Sequence, residues 1–491
     1  MTLDPQILAA ARDVTRWATV IAWFVIAVGL LQNAIYVWQL VLAERALRRR
    51  PPTLASGELW RRYADSAPPI ALLAPAYNEE PTVVESVRSL LALRYPNFEI
   101  VVINDGSRDG TLSVLIEAFE LKQVVRHYDL AAPCATIRGV YAGANQPRLI
   151  VVDKENGGKA DALNAGLNLA RAPIVCSMDA DSLLEPDALL RAVRPFVEDP
   201  DRVIAVGGCV RVANGCVIDR GQVVKVGVPR NFLAALQTME YLRAFLMARL
   251  AWSEARALTI ISGAFGLFRR NAVLEVGGYS HRTVGEDMEL VIKLHRRFRE
   301  TGRDYRVVFA PEPVCWTEAP ESLKILGRQR ARWHRGSLET FFRHRTMLFN
   351  ARYGRIGFVA FGNVLLVDVI GPLVEALGYL LLPAFWITGI LSFEFLEAFA
   401  AVSFTFGVAL SVAALALEES ELRRFPNALS LAVLMGAAVI ENFGYRQLNN
   451  LWRLRGFWQY LTGAQGWGTM TRKGFSPSPP PRPASGTSSG T

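Results

Sequence analysis

Cysteine is scarce in this chain. Five residues, Cys134, Cys176, Cys209, Cys216 and Cys315, are spread over 491 positions, and no two stand in Cys-x-x-Cys spacing. That excludes a disulfide framework and a cysteine-built zinc site, and it suits a reducing compartment. Charge is sparse too, at 20% of residues against 51% hydrophobic, which excludes extended disorder. A full phosphate-loop motif is missing, since Gly157-Gly158-Lys159 carries only part of that pattern. The length allows about three folding units at roughly 150 residues each. The net charge of +9 would suit a nucleic-acid binder or a membrane protein with basic loops on one side. Its distribution favours the second, and no nucleic-acid partner is expected.

From Trp17 to Ala43 no residue carries a formal charge, enough for a helix of about 40 Å across a hydrocarbon core of about 30 Å. The run continues into Glu44 and then Arg45, Arg48, Arg49 and Arg50, with no small-residue cleavage site, so it reads as an anchor. The arginines place everything after it in the cytoplasm. A second apolar region follows Arg355. Ile356 to Phe393 is broken only by Asp368 and Glu375, Ala398 to Leu417 is uncharged, and Phe425 to Ile440 is short for a span. Arg446, Arg453 and Arg455, with Trp452, Phe457, Trp458 and Tyr460, suit a segment lying among cytoplasmic headgroups. With both flanks cytoplasmic the C-terminal crossings must be even in number, and a break at Gly371-Pro372 makes four. The predicted organisation is an anchor at 1–44, a basic linker at 45–67, a soluble domain at 68–349, a membrane region at 350–447, an interfacial segment at 448–475 and a disordered tail at 476–491.

The soluble middle alternates short apolar runs with helical patterns, the mark of an α/β domain on a mainly parallel sheet. Ile70–Ala74, Ile100–Ile103, Leu149–Val152 and Ile174–Met178 are the candidate buried strands. Ligands bind beyond the carboxyl ends of such strands, so the residues that follow them are the first candidates for chemistry. Asp179 and Asp181 bring two hard oxygens together as Mg²⁺ or Mn²⁺ requires, or else cap the next helix. Asp105, in Asn-Asp-Gly-Ser, either accepts hydrogen bonds from a nucleoside or only shapes a turn. Lys159 offers an ammonium to phosphate or starts a solvated helix. Gly285-Glu286-Asp287 opens a helix with adjacent carboxylates, which suits a general base or simply an acidic first turn. Gln329, Arg332 and Trp333 combine an amide, a guanidinium and an indole fit for diphosphate and sugar, or belong to a basic helix on a membrane.

In order along the chain, Ala-Pro-Ala-Tyr-Asn-Glu-Glu, Ile-Asn-Asp-Gly-Ser, Gly-Lys-Ala-Asp-Ala-Leu-Asn, Asp-Ala-Asp, Gly-Glu-Asp and Gln-Arg-Ala-Arg-Trp closely resemble the membrane-embedded, processive family-2 glycosyltransferases. That group includes the cellulose, chitin, hyaluronan and poly-N-acetylglucosamine synthases. The resemblance implies a GT-A fold and inverting transfer from a nucleotide-sugar, a UDP-sugar by preference, to a growing β-linked polysaccharide. By motif position, Tyr77, Glu79 and Asp105 would hold the nucleoside and Lys159 would lie near the donor. Asp179 and Asp181 would bind the donor and its Mg²⁺ or Mn²⁺. Asp287 would be the general base with Glu286 in support, and Gln329, Arg332 and Trp333 would bind the diphosphate and the acceptor end. Gly285 stands where cellulose synthases have threonine, which leaves an N-acetylglucosamine polymer at least as well matched as cellulose. Two further readings remain: single-sugar transfer to a membrane lipid, and an inactive membrane scaffold. The expected location is the inner (plasma) membrane, multi-pass, with the catalytic domain cytoplasmic. Membrane lipids are expected contacts, with room for a small membrane partner subunit. No cyclic-dinucleotide module is expected after the membrane segments.

Overall fold

The computed structural model describes residues 5–50, 54–179, 182–219, 221–421 and 428–463. Asp181 and the tail expected at 476–491 lie outside them. Among the described residues twelve strands form, β1 (Ile70–Ala76), β2 (Phe98–Asp105), β3 (Lys122–Val124), β4 (Ile137–Gly143), β5 (Gln146–Lys154), β6 (Ile174–Met178), β7 (Leu183–Leu184), β8 (Val203–Val212), β9 (Val217–Asp219), β10 (Gln222–Lys225), β11 (Phe265–Arg269) and β12 (Arg306–Thr317). β9 and β10 make a separate hairpin; the other ten form one sheet in the order β3-β4-β5-β2-β1-β6-β11-β8-β12-β7.

The four apolar runs read from sequence lie within β1, β2, β5 and β6, which are the parallel core, with Leu72 opposite both Ile100 and Cys176. Buried on both faces, such strands need no polar alternation. The whole sheet is mixed, because β11 runs antiparallel to β6 and β8, and β3 and β4 form an antiparallel edge. β1 leads outward to β2, whereas β6, on its other side, leads to the opposite half of the sheet. The crevice beyond the carboxyl ends of β1 and β6 is therefore the switch point where an open α/β sheet holds ligands.

Among the described residues three helices are long and apolar enough to cross a membrane, Arg16–Arg49, Ile356–Ile387 and Phe393–Ser420; Ala428–Ile440 and Tyr445–Leu461 meet at 61° and count as a fourth only if taken as one span. The break expected at Gly371-Pro372 is absent, so four C-terminal crossings are not formed among the described residues. Pro372 sits in the first turn of helix Gly371–Ile387, directly after the π-helical stretch Leu365–Ile370. A missing N–H costs little at a helix start, so the proline joins two helical pitches without ending the span. The N-terminal helix runs on to Arg49, and the stretch expected as a linker contains helix Ser56–Tyr63, which buries Leu59 and Tyr63.

The membrane helices are not a detachable module. Phe406, Leu410 and Leu417 pack into the same apolar core as the central strands. Beside them Arg211 Nη2, at the end of β8, donates to Glu418 Oε2 at 2.5 Å, with Glu418 wholly buried. Removing one partner of a buried pair strands the other charge, whereas replacing both with apolar groups does not. Glu418→Ala should therefore destabilise the protein by about 3–5 kcal/mol, and Arg211→Met with Glu418→Leu should recover most of that loss. Thermal unfolding in detergent reads both, and equal losses in the single and paired variants would sink the account.

Candidate active site

β6 ends at Met178, and Asp179 follows it into the crevice. Across the crevice Lys159 opens helix Lys159–Leu169, after Gly158 has turned the chain at φ +87°. Its ammonium donates to Asp179 Oδ1 at 2.5 Å, lies 3.5 Å from Glu286 Oε1 and reaches the Gly263 carbonyl at 3.4 Å. Glu286 and Asp287 begin helix Glu286–Glu300. The Asp287 carboxylate is held by two backbone donors, Gly263 N to Oδ2 at 3.0 Å and Met288 N to Oδ1 at 2.8 Å. Each oxygen keeps a second lone pair for an incoming hydroxyl. A Cβ on Gly263 would stand 2.8 Å from Lys159 Nζ, so a side chain there would displace the ammonium.

Electrostatically the cluster has one ammonium for three carboxylates. Burial would push Lys159 down, but Asp179 and Glu286, with Asp287 behind them, hold it above its ordinary value. Burial pushes Glu286 up to about 7; Lys159 opposes the shift and Asp287 adds to it. Arg249, at the end of the π-helical stretch Leu242–Arg249, lies close enough to interact with Asp287 and stacks 3.6 Å from the Phe245 ring centre. Burial pushes its guanidinium down to about 10, with Asp287 opposing.

Asp105 is tied into its own loop. Its Oδ1 accepts from Lys154 Nζ at 2.5 Å and Gly157 N at 3.0 Å, and its Oδ2 accepts from Gly158 N at 2.8 Å and Asn156 Nδ2 at 3.2 Å. This buried carboxylate thereby organises the loop before Lys159. The same bonds occupy the Gly157 and Gly158 N–H groups. Tyr77 is exposed just past β1, and Glu79 beside it accepts from Thr82 Oγ1 at 2.8 Å. Both stay at the crevice, apart from the Lys159 cluster.

Gln329, Arg332 and Trp333 lie on helix Leu323–Arg343. Gln329 Oε1 is buried and accepts no hydrogen bond among the described residues, while Trp333 is exposed with the Arg330 guanidinium 4.5 Å from its ring centre. The helix reaches the catalytic turn through its far end. Glu339 Oε2 accepts from Thr283 Oγ1 at 3.0 Å and Val284 N at 2.9 Å, and a Cβ on Gly285 would stand 3.0 Å from Gly336 Cα. Sequence reasoning missed Gly263, Arg249 and Gly336. Only Gly263 gave a signal, as Ser262-Gly263 before an apolar strand.

Among the described residues no three His, Cys, Asp or Glu side chains form a metal-sized group, and Asp181 is not among them. The oxygen chemistry nevertheless suits a hard cation. Asp179 already accepts a positive charge at 2.5 Å, and the surrounding carboxylates outnumber the ammonium that serves them.

The family described as Glycosyltransferase like family 2 matches residues 68–336. Poly-beta-1,6-N-acetyl-D-glucosamine synthase of Staphylococcus aureus is 31% identical over 274 residues, 56% of this chain and 56% of that protein; its Staphylococcus epidermidis counterpart aligns equally. The chain thus spans about half the length of the curated relatives it matches. A mannosyltransferase of Pyrobaculum calidifontis, solved with GDP-Man and Mn²⁺, superposes with a TM-score of 0.54 at 20% identity, covering 92% of this chain and 99% of that one. With more than half its length in the family match and a GT-A arrangement of the sheet, the chain belongs to the family-2 glycosyltransferases.

Proposed function

We propose that the protein is an inverting membrane glycosyltransferase that moves a sugar, an N-acetylhexosamine by likeness to the staphylococcal synthases, from a UDP-sugar to a growing β-linked polysaccharide. The observation that carries this reading is the Asp287 carboxylate, fixed by Gly263 N and Met288 N beside the Lys159–Asp179 pair. In this reading Asp287 takes the acceptor hydroxyl proton as that oxygen attacks the anomeric carbon from the face opposite the nucleotide. A single displacement inverts the anomer. Mg²⁺ or Mn²⁺ held by Asp179 and Asp181 would stabilise charge on the departing diphosphate. Lys159 ties the donor-side aspartate to the catalytic turn, Arg332 supplies a further cation to the diphosphate, and Trp333 offers a face to the acceptor sugar.

Among the described residues two C-terminal helices are long and apolar enough to span, an even number when the bent pair Ala428–Ile440 and Tyr445–Leu461 is not a span, which supports a catalytic domain and a helix Tyr445–Leu461 on the same side of the membrane. The arginines at the end of the first helix favour the cytoplasmic side of an inner membrane, with lipids and a small membrane subunit as neighbours.

The direct test supplies membranes containing the protein with a panel of nucleotide-sugars and measures released nucleotide and polymer. One UDP-sugar should give both, and product confined to a single sugar on lipid would replace the polymer reading. In the same assay Asp287→Asn should lose transfer by about 10²–10⁴-fold while donor binding persists, because the amide takes no proton. Comparable turnover in the variant would remove Asp287 as base.

Chelation should abolish turnover, and Mg²⁺ or Mn²⁺ should restore it. Asp181→Asn should weaken that dependence together with activity, whereas a mere helix cap would cost about 1 kcal/mol of stability and leave catalysis alone. Full activity in a chelator counts against a metal at Asp179 and Asp181.

A pH effect follows from Glu286. The folded protein holds its proton more tightly than the unfolded chain, so its contribution to stability is complete below pH 4.5 and is lost as pH rises through about 7. Unfolding temperatures of the metal-free protein should fall between about pH 4.5 and pH 7, and Glu286→Gln should flatten that slope. An unchanged slope in the variant would assign the titration to another group.

A further inference from the structure

Helix Leu323–Arg343 makes backbone-close contacts at two places on different faces. At Gly336 it meets the catalytic turn: a Cβ built there would lie 2.9 Å from Gly285 Cα and N. On another face it meets helix Tyr445–Leu461. A Cβ on Gly327 would lie 2.6 Å from Trp452 Nε1, and one on Gly456 would lie 2.4 Å from Ala331 O and 3.1 Å from His334 Cβ. Phe342 and Tyr460 stack farther along, with ring centres 5.2 Å apart. The C-terminal helix is anchored in turn on the membrane helix Ile356–Ile387, where Asn450 Nδ2 donates to Pro372 O at 3.2 Å and Arg453 Nη2 lies 3.5 Å from Asp368 Oδ1. No side chain cushions the steps at Gly285, Gly336 and Gly456, so displacement at one end passes to the other with little compression.

We infer that helix Tyr445–Leu461 is a positioning element for catalysis. Through Gly456, Gly327 and Gly336 it sets where Gly285-Glu286-Asp287 stands relative to Asp179, and so couples the seating of the membrane helix to the placement of the base. The inference rests on the transferase reading above and goes beyond it, because none of these contacts involves a residue that meets substrate. The two halves of the site sit on separate elements, with Lys159 the bridge between them. Asp179 and Lys159 belong to the central sheet and its crossover helix, whereas Asp287 moves with the turn that Gly336 touches. A shift of helix Leu323–Arg343 therefore misplaces the base; it carries Arg332 as well, but attraction between that cation and a diphosphate falls off slowly with distance, and Asp179 and Lys159 stay in place.

Gly456→Ala and Gly327→Ala, prepared as the full chain in nanodiscs, form the test. Each should lower kcat on the order of a hundredfold, the cost of about 1 Å of misplacement, while donor KM and calorimetric affinity for UDP-sugar with Mn²⁺ stay within about twofold. Gly327→Ala combined with Trp452→Leu, which removes the indole the new methyl would strike, should recover most of the lost kcat. Wild-type kcat in both glycine variants would overturn the inference. So would loss of donor affinity in step with kcat, or failure of the Trp452 replacement to rescue, since either is what general destabilisation produces. Absence of transfer by the wild-type protein while it still binds donor would instead bring down the transferase reading itself, and the inference with it.

Discussion

Three carboxylates from two separately built parts of the domain converge on the ammonium of Lys159, and the rest of the site is arranged around that imbalance. Asp179 comes from the end of β6, and Glu286 and Asp287 come from a helix start across the crevice. Arg249 adds a second cation beside Asp287, which still leaves two cations for three anions. Burial, reinforced by Asp287, raises Glu286 to about 7, and Asp179 stays partly exposed. A site of this kind is suited to taking up a hard cation together with a diphosphate, whose charges it would otherwise repel.

The chemistry of the site was more legible in the sequence than its supports were. Asp179, Glu286 and Asp287 sit at strand and helix ends, where local pattern left them open between ligand contact and helix cap and the ordered set of motifs singled them out, and Lys159 follows a glycine pair that announces a turn. Asp105 looked like a ligand contact because it too follows an apolar strand. Its partners within the chain, Lys154 and the Gly157 and Gly158 amides, are some fifty residues further on and meet it only through the parallel pairing of β2 with β5. The glycine contacts were invisible for a related reason. A glycine that permits close approach cannot be told from one that permits a turn until the opposing backbone is known.

The fold followed the same division. The parallel core was readable because strands buried on both faces are continuous apolar runs. β8 and β12 were not singled out, although they pair along much of their length. Gly207-Gly208 interrupts one, and Pro311, Glu312 and Pro313 interrupt the other. The glycines are needed because a Cβ on Gly208 would strike Val314 and Phe265, and the second strand bulges where its prolines fall. At Gly371-Pro372 the sequence signal for a break was sound in isolation and was overridden by a change of helical pitch.

The apolar core shared by the sheet and helix Phe393–Glu421, with the Arg211–Glu418 pair inside it, bears on how the enzyme can be handled. The catalytic unit has no clean seam at residue 350, where its soluble pattern ends. A fragment cut there would leave the Arg211 guanidinium without its carboxylate and uncover the apolar surface that Leu410 and Leu417 fill. Truncation to obtain a water-soluble catalytic domain thus removes part of the core that supports the sheet, so loss of activity in such a fragment would report a damaged scaffold, with no bearing on whether the membrane takes part in the chemistry.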